Sequence, residues 1–406
     1  MFTSCAAFPP SKSIVTRDRV LEPSTEALAG IDGELVEAAI HEDVETGLFP
    51  CAVYLVARHG RIAAYDALGY ADPEEKTPMK QDSIIQIGSV TKPITATGLM
   101  ILWDDGKFDL DDPVSKYIPA FEKLTLEDGQ PAATTLTIRH LMTHTGGLQI
   151  HVDGDAWQAR TDKSIKARAE MAAEMPLLFS PGTRNKYSSA GNNVLAGLIE
   201  VISGESYPEF MKKRLLDPLG MKDTFTVPRS EEQRQRICWI QKRENGKWIR
   251  AMRDIPDAKE DQGYMRYSTA HDLAAFWQMV LNGGVYGGQR VLSEKAVAMA
   301  TSALHPIPLH KADGWDIYRG AAFQVGPTLW GVPESELPRT VKSPSRKMEE
   351  PQRFFSHGGW GGNYVFADRD GDLLGVFNTQ TLPEDEPRGW RREFFLRLLR
   401  AVEEER

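Results

Sequence analysis

The stretch Gln86-Ile87-Gly88-Ser89-Val90-Thr91-Lys92-Pro93 places a hydroxyl and an amine three residues apart at a predicted strand-to-helix junction. On a helix, positions i and i+3 share one face, so the Lys92 nitrogen can lie beside the Ser89 hydroxyl. A serine hydroxyl is a poor nucleophile until a nearby base removes its proton, and a lysine is such a base only where its surroundings lower its pKa. The pattern favours a serine acyl-transfer enzyme, and the alternative is an ordinary helix start with Ser89 as its cap.

The composition is that of a folded protein without a nucleic-acid partner. The chain has 406 residues, of which 41% are hydrophobic, which is enough for one large domain or two of ordinary size. The formal net charge is −9, and acidic and basic residues are interspersed, so no basic stripe could follow a phosphate backbone. We therefore expect no nucleic acid among the partners, and the oligomeric state stays open.

The cysteines and the first residues bear on the compartment. Cys5, Cys51 and Cys238 show no paired spacing, so the sequence suggests neither a disulfide framework nor a cysteine zinc site, and it fits a reducing compartment. Residues 1–10 lack the basic start and apolar run of a secretory signal, and no segment approaches the roughly twenty apolar residues of a membrane span. We predict a cytoplasmic protein without a membrane segment, in which residues 1–30 form a loose arm.

Strand signals concentrate towards the two ends of the chain. Apolar runs at 52–57 and 62–68 flank a Gly-containing turn, and runs at 364–367 and 373–379 surround another, so each pair predicts a hairpin. Amphipathic helices are predicted before the first hairpin and after the second. A further hairpin is predicted from the runs at 237–240 and 248–249, across Glu244-Asn245-Gly246.

The interval between these ends has mostly helix signals. Helical spacing and caps predict four helices, at 136–143, 162–175, 192–202 and 208–215. A discontinuous α/β domain, residues 31–107 and 229–406, interrupted by a helical domain, residues 108–228, explains this order. A cleft between two such domains is a usual place for an active site.

Two further stretches bear on the chemistry. Tyr187 lies on a turn-forming stretch before a predicted helix, where its phenol could relay protons to Ser89; the alternative is a half-buried loop tyrosine. The stretch His357-Gly358-Gly359-Trp360-Gly361-Gly362 leads into the predicted strand at Tyr364. Glycines there let a ligand approach the backbone, whose N–H groups could stabilise an oxyanion; the alternative is a Gly-rich turn.

In this order, the three stretches resemble the serine β-lactamase and penicillin-binding protein superfamily, in its class C branch. The resemblance consists of Ser89-x-x-Lys92, Tyr187 with a small polar residue two positions on, and His357-Gly358-Gly359 before a C-terminal hairpin. It spans roughly residues 30 to 400. It implies an α/β fold of the β-lactamase and DD-peptidase type, with an antiparallel sheet flanked by helices and an inserted all-helical domain.

The resemblance also implies roles for individual residues. Ser89 would be the acylated nucleophile, Lys92 its proton partner, and Tyr187 the general acid and base. The backbone N–H groups of Ser89 and Trp360 would form the oxyanion hole. No cofactor and no metal are implied. The substrate-binding positions would be Ser189, His357, Gly358, Gly359 and Trp360.

Two departures from the family pattern bear on the substrate. Ser189 stands where β-lactamases usually have an asparagine that holds the substrate amide, and His357 where they usually have a lysine that meets the β-lactam carboxylate. A histidine is mostly neutral at pH 7 unless perturbed. The chain is therefore more similar to family VIII carboxylesterases, lovastatin-type acyltransferases and nylon-oligomer hydrolases. We predict a carboxylesterase for small or medium acyl esters, and we expect His357→Lys with Ser189→Asn to favour cephalosporins.

Other functions are compatible with parts of the sequence. An amidase acting on β-lactams, D-amino-acid peptides or linear amides is the main alternative, and an idle binding protein is less suited because it would not need all of Ser89, Lys92 and Tyr187. His140 and His144 could share a helix face, but a third metal ligand is not apparent, so we expect them to be scaffold histidines. The Gly-x-Ser-x-Gly of an α/β-hydrolase is absent.

Overall fold

The structure, a computed structural model, describes residues 14–24, 30–152, 164–253, 255, 265–312, 315–328, 332, 336–337 and 346–402. In the N-terminal half its strands are β1 Glu22–Pro23, β2 Cys51–Arg58, β3 Arg61–Asp72, β4 Thr77–Pro78 and β5 Ile85–Gln86. The later strands are β6 Ile240–Glu244, β7 Lys247–Met252, β8 Tyr267–Ser268, β9 Val285–Tyr286, β10 Gln289–Arg290, β11 His310–Ala312, β12 Trp315–Arg319, β13 Gln324–Gly326, β14 Phe354–Gly359, β15 Asn363–Asp368 and β16 Leu373–Asn378.

The helices are concentrated between β5 and β11. The α-helices are α1 Gly33–Glu45, α2 Thr91–Asp104, α3 Ile138–Met142, α4 Ile165–Glu174, α5 Ser189–Ser203, α6 Tyr207–Met211, α7 Asp217–Leu219, α8 Glu231–Arg236, α9 Ala270–Leu281, α10 Glu294–Ala300 and α11 Trp390–Ala401. A π-helical turn, Lys212–Leu216, connects α6 to α7, and 3₁₀ turns lie at Gly88–Val90, Val114–Lys116, Pro119–Phe121 and Pro383–Asp385. Within the described residues, no helix is long and apolar enough to cross a membrane.

The central sheet joins the two ends of the chain. Its strand order is β1-β3-β2-β16-β15-β14-β13-β12-β11, with β4 beside β3. Strand β1 runs parallel to β3, whereas β2 pairs antiparallel with both β3 and β16. The register of the β16–β2 pair sets Phe377 opposite Tyr54. The predicted fold class, a mixed α/β fold with an antiparallel-dominated sheet, is confirmed.

Strand β2 shows that this sheet is covered on both faces. All eight of its residues are buried, although antiparallel sheets often leave one face in water. Cys51, Val53 and Leu55 belong to the large core that includes α2 and α9, whereas Tyr54 and Val56 belong to a second core built with α1 and α11. Because successive side chains of a strand point to opposite faces, one apolar run serves two cores.

The predicted hairpins and helices are found with small shifts. Asp32 caps α1 by accepting a hydrogen bond from the Leu35 N–H at 3.0 Å. The β2–β3 and β15–β16 hairpins are present, and the β6–β7 turn lies at Asn245 and Gly246, although β6 begins three residues later than its predicted start at Ile237. Four predicted helices correspond to α3, α4, α5 and α6 with its π-helical extension. The division at residues 108 and 228 into two domains stays a prediction.

Two parts of the chain differ from expectation. The stretch that begins at His357 leads into the strand at Tyr364 as expected, but His357 itself lies in β14, a strand that was not predicted. The Ser-His-Gly-Gly end of β14 has low β propensity and is stabilised by pairing with β15. The described part of the expected loose arm, residues 14–24, is packed rather than loose. Ile14 is buried, and Arg17 and Arg19 form ion pairs with the buried carboxylate of Asp372.

Candidate active site

Ser89 and Lys92 lie where the chain passes from β5 through a 3₁₀ turn into α2. Lys92 Nζ donates a hydrogen bond to Ser89 Oγ at 3.1 Å, as the three-residue spacing predicts. The side chain of Lys92 is buried, with a relative exposure of 4%. The ammonium group is thus held against the hydroxyl in a place from which most water is excluded.

Tyr187 reaches the same hydroxyl from the loop before α5. Its O–H donates to Ser89 Oγ at 2.6 Å, and Lys92 Nζ lies 4.8 Å from the centre of its ring. The loop is held by the cap of α5, in which Ser188 Oγ accepts from the Gly191 N–H at 2.9 Å. The structure therefore brings Ser89, Lys92 and Tyr187 together within hydrogen-bonding distance.

The surroundings of Tyr187 lower the pKa of its phenol. Burial by itself raises the pKa of Tyr187. Three neighbours lower this pKa by more than burial raises it: Lys92 through its charge and a hydrogen bond, Ser89 through a hydrogen bond, and Arg319 through its charge. The net pKa therefore lies below the usual tyrosine value. A phenol tuned in this way can accept and return a proton near the Ser89 hydroxyl.

Arg319, at the end of β12, is a site residue that sequence reasoning missed. Its guanidinium carbon lies 5.7 Å from the centre of the Tyr187 ring, and the side chain is buried. One Nη donates to the Ala322 carbonyl at 3.1 Å. Burial lowers the pKa of Arg319 to about 10, which leaves it protonated at neutral pH. The signal available in the sequence was a single cation before the apolar residues Ala321 to Phe323.

His357 is a neutral, buried imidazole beside Arg319. Its Nδ1–H donates to the Gly358 carbonyl at 2.6 Å, and its Nε2 faces an Arg319 Nη at 3.3 Å; this hydrogen-bond pattern assigns the proton to Nδ1. Burial, followed by the charges of Arg319 and Lys92, holds the pKa of His357 well below its usual range. A lysine at this position would bury a second cation against Arg319, so the expected benefit of His357→Lys for cephalosporins no longer follows.

The two histidines expected to be scaffold residues have different surroundings. His140 caps α3 with Thr137 and lies beside His305, so it matches the expectation. His144 instead packs on Tyr187, with ring centres 4.7 Å apart, and its Nδ1 accepts from the Ser188 N–H at 3.3 Å. Burial and the charges of Arg319 and Lys92 hold the pKa of His144 well below its usual range. His144 is therefore part of the site's wall rather than remote scaffold.

The backbone of Trp360 lies against the turn that carries the serine. Gly88 has a φ of +53°, and a Cβ at this position would come within 2.6 Å of the Trp360 nitrogen, so a residue with a side chain would force the two segments apart. Asn363 ties the same segments together by donating to the Gln86 carbonyl at 2.9 Å and to the Trp360 carbonyl at 2.7 Å. The predicted oxyanion hole of Ser89 and Trp360 N–H groups stays a prediction.

Two cavities adjoin Trp360. The first, about 220 Å³, is lined by Ser89, Lys92 and Ser189 as well as Trp360, whereas the second, about 700 Å³, is lined by Gly358 and Gly359. The predicted substrate-binding positions are thus divided between two spaces, and His357 lines neither of them. Over the described ranges of the chain, no group of three or more His, Cys, Asp or Glu side chains could hold a metal ion.

Fold and site together are those of a serine hydrolase of the β-lactamase type. The family model described as Beta-lactamase matches residues 36–397, and the chain belongs to this family.

Three relatives have names of different kinds. Protein Rv1367c of Mycobacterium tuberculosis is 28% identical over 375 residues, covering 87% of this chain and 91% of that protein. Esterase EstB of Burkholderia gladioli is 33% identical over 192 residues, or 45% of this chain and 48% of EstB. Penicillin-binding protein 4 of Amycolatopsis lactamdurans is 32% identical over 226 residues, or 54% and 56% of the two chains.

A solved structure shares the fold over nearly the whole chain. It is that of EstCE1, described as a hydrolase with promiscuous acyltransferase activity, with a TM-score of 0.72 and 22% sequence identity. The match covers 91% of this chain and 97% of EstCE1. At this level of identity the likeness concerns the fold alone.

Proposed function

We propose that the protein is a carboxylesterase that works through an acyl-enzyme on Ser89. The observation that carries the proposal is the pair of hydrogen bonds to Ser89 Oγ, from Lys92 Nζ at 3.1 Å and from Tyr187 O–H at 2.6 Å. A hydroxyl flanked by two groups that can exchange protons is the arrangement that nucleophilic catalysis by serine requires.

The proposed reaction has two halves. In acylation, Ser89 Oγ attacks the ester carbonyl while its proton passes to the Tyr187 phenolate, whose formation the Lys92 charge favours. The oxyanion is held by the N–H groups of Ser89 and Trp360, and Tyr187 then returns the proton to the departing alkoxide. In deacylation, water attacks the acyl-enzyme, Tyr187 takes its proton, and that proton goes to Ser89 Oγ as the acid leaves.

An ester substrate is supported by the polar groups of the site. An ester needs less protonation of its leaving group than an amide does, and it needs no cation to hold a β-lactam carboxylate. His357 is neutral and buried, and Ser189 offers a hydroxyl where an amide-holding asparagine would otherwise stand. The similarity to Esterase EstB supports the same substrate class.

An amidase is the second candidate. The similarity to Penicillin-binding protein 4 supports it, and the Lys92–Tyr187 pair could protonate an amine leaving group as well as an alkoxide. The two candidates share the Ser89 acyl-enzyme and differ in the leaving group.

A parallel assay with short-chain p-nitrophenyl esters and a chromogenic cephalosporin tests the proposal. We expect the wild type to prefer the esters and Ser89→Ala to lose turnover of both, because no other group would carry the acyl chain. Ser203→Ala, at the far end of α5, is the matched control and should keep wild-type activity.

Two results would overturn parts of the proposal. A phosphonate label found by mass spectrometry on Ser188 or Ser189 would contradict the assignment of Ser89. A wild type that prefers the cephalosporin would replace the esterase with the amidase.

A further inference from the structure

The described part of the lining of the cavity beside Ser89 is basic, unlike the chain as a whole. The protein carries a formal net charge of −9, yet the lining of this cavity contains Lys92, Arg168 and Arg266 and, among its described residues, no Asp or Glu. Among the lining residues that the structure describes, Val152 and Trp360 are the only large apolar side chains. An alkyl chain would therefore meet mostly polar and cationic groups, which would lose water without gaining acceptors.

The two arginines reach the cavity from different elements. Arg168 belongs to α4, whereas Arg266 immediately precedes β8 and accepts the Ile87 N–H on its backbone carbonyl at 3.0 Å, next to the Ser89 turn. Both side chains are more than nine-tenths buried, with relative exposures of 6% and 8%. Each has at least one further interaction, but a guanidinium has five N–H donors and can bind a carboxylate beside an existing partner.

The reaction proposed above indicates which part of the substrate occupies this space. Tyr187 must meet the leaving oxygen, and Tyr187 does not line this cavity although Ser89 does. The leaving group therefore departs on the Tyr187 side, and the acyl group that stays on Ser89 Oγ extends into the cavity. This step rests on the proposed function.

We infer that the acyl group carries an anionic end, a carboxylate, which Arg168 and Arg266 bind. A guanidinium binds a carboxylate through two parallel hydrogen bonds, and such charge-assisted pairs are stronger than neutral ones. The volume of about 220 Å³ lies below the range usual for drug-sized ligands, so the fitting class is the half-esters of short dicarboxylic acids.

The test compares monomethyl glutarate with methyl 5-methylhexanoate, in which an isopropyl group replaces the carboxylate. Both have the same leaving group, so titration of the released acid compares the acyl groups alone. We expect the wild type to show a kcat/KM about tenfold or more higher for monomethyl glutarate, and we expect sodium chloride to reduce that ratio.

Variants of the two arginines sharpen the comparison. Arg168→Gln and Arg266→Gln should each lower the ratio of kcat/KM for the anionic over the uncharged ester by about tenfold. Arg229→Gln, at an exposed position outside the cavity, is the matched control and should leave the ratio at its wild-type value.

The outcomes separate this inference from the proposed function. Equal rates on the two esters, or a preference for the uncharged one, would overturn the inference and leave the esterase standing. If the wild type hydrolysed neither these nor other esters, the esterase and the inference would both fail. The wild-type comparison decides even if an arginine variant does not fold.

Discussion

The active site has two walls of different character, a helix-side wall of Ser89, Lys92 and Tyr187 and a sheet-side wall of Arg319 and His357. The helix-side wall holds the hydroxyls and the amine that exchange hydrogen bonds at 2.6 and 3.1 Å. The sheet-side wall holds a neutral imidazole and a buried guanidinium. The difference teaches that the groups proposed to transfer protons lie on one wall, whereas the cations that lower the pKa of Tyr187, Lys92 and Arg319, come from both walls.

The Tyr187 ring couples the two walls. Lys92 Nζ lies 4.8 Å and the Arg319 guanidinium carbon 5.7 Å from its centre. Both cations oppose the effect of burial and stabilise the phenolate. We expect Arg319 to act through Tyr187 as a positioning residue, because its charge lowers the pKa of the phenol while its side chain contacts Ala322 and His357.

The largest effect is expected from a substitution that removes the Tyr187 hydroxyl from the helix-side wall. Tyr187→Phe should lower kcat by about 10²–10⁴-fold with little change in KM, because a proton relay acts in the transition state. Steady-state kinetics with a short p-nitrophenyl ester measure kcat and KM of the variant and the wild type. Tyr65→Phe, which removes a phenol that donates to the Gln81 carbonyl at 2.8 Å, is the matched control. A mutant with nearly full kcat would show that Lys92 or water transfers the proton alone.

A smaller effect is expected from substitutions of Arg319 on the sheet-side wall, one of which removes its charge and one of which keeps it. Arg319→Gln removes a cation that lowers the pKa of Tyr187, so that pKa should rise and the ascending limb of the pH profile of kcat/KM should move to higher pH. Arg319→Lys keeps the charge and should keep the limb in place. If Arg319→Gln lowered activity equally at every pH, the role of Arg319 would be structural only.

The smallest effect concerns stability and involves His144 and His357. Their pKa values lie well below the usual histidine value when folded, so below about pH 6.5 the unfolded chain binds protons that the folded chain does not. Their contribution to stability is thus present above that pH and is lost as the pH falls. Each of the two histidines should add about 1.4 kcal/mol per pH unit to the rate at which the free energy of unfolding decreases as the pH falls.

Urea unfolding at a series of pH values between 7 and 5 measures this slope. His144→Gln and His357→Gln should each reduce it, and His41→Gln, at a partly exposed position on α1, serves as the matched substitution control. Variants whose slope equals that of the wild type would contradict the assignment. His140 and His305, each with a pKa of about 4 because of burial, contribute to the wild-type slope in the same direction.

Local sequence patterns could predict those parts of the molecule whose contacts join residues close together in the sequence. The β2–β3 hairpin, α1 with its Asp32 cap and the approach of Lys92 to Ser89 each depend on residues a few positions apart. The resemblance to the β-lactamase superfamily added Tyr187, which lies 98 residues from Ser89 and which no spacing rule could have joined to it.

Strands with weak signals were the ones missed. Strand β14 ends in His-Gly-Gly and is maintained by its six pairs with β15, and β12 places Arg319 by pairing with β13. Such strands form because a neighbouring strand pairs with their backbone N–H and C=O groups. Their presence therefore depends on the register of strand pairing rather than on the β propensity of their residues. The described part of the N-terminal arm was misjudged for the same reason, because its anchor, Asp372, lies more than 350 residues away.

The sequence by itself determined the Ser89–Lys92 pair, the fold class and the order of helices and strands, because these follow from local spacing, side-chain periodicity and the family pattern. Only the tertiary structure decided that His357 is buried beside Arg319, that His144 packs on Tyr187, and that Arg168 and Arg266 face one cavity with Ser89. These contacts join segments far apart in the chain. The protonation states and pKa values of these side chains depend on burial and on neighbours in space, which a local stretch of sequence does not show.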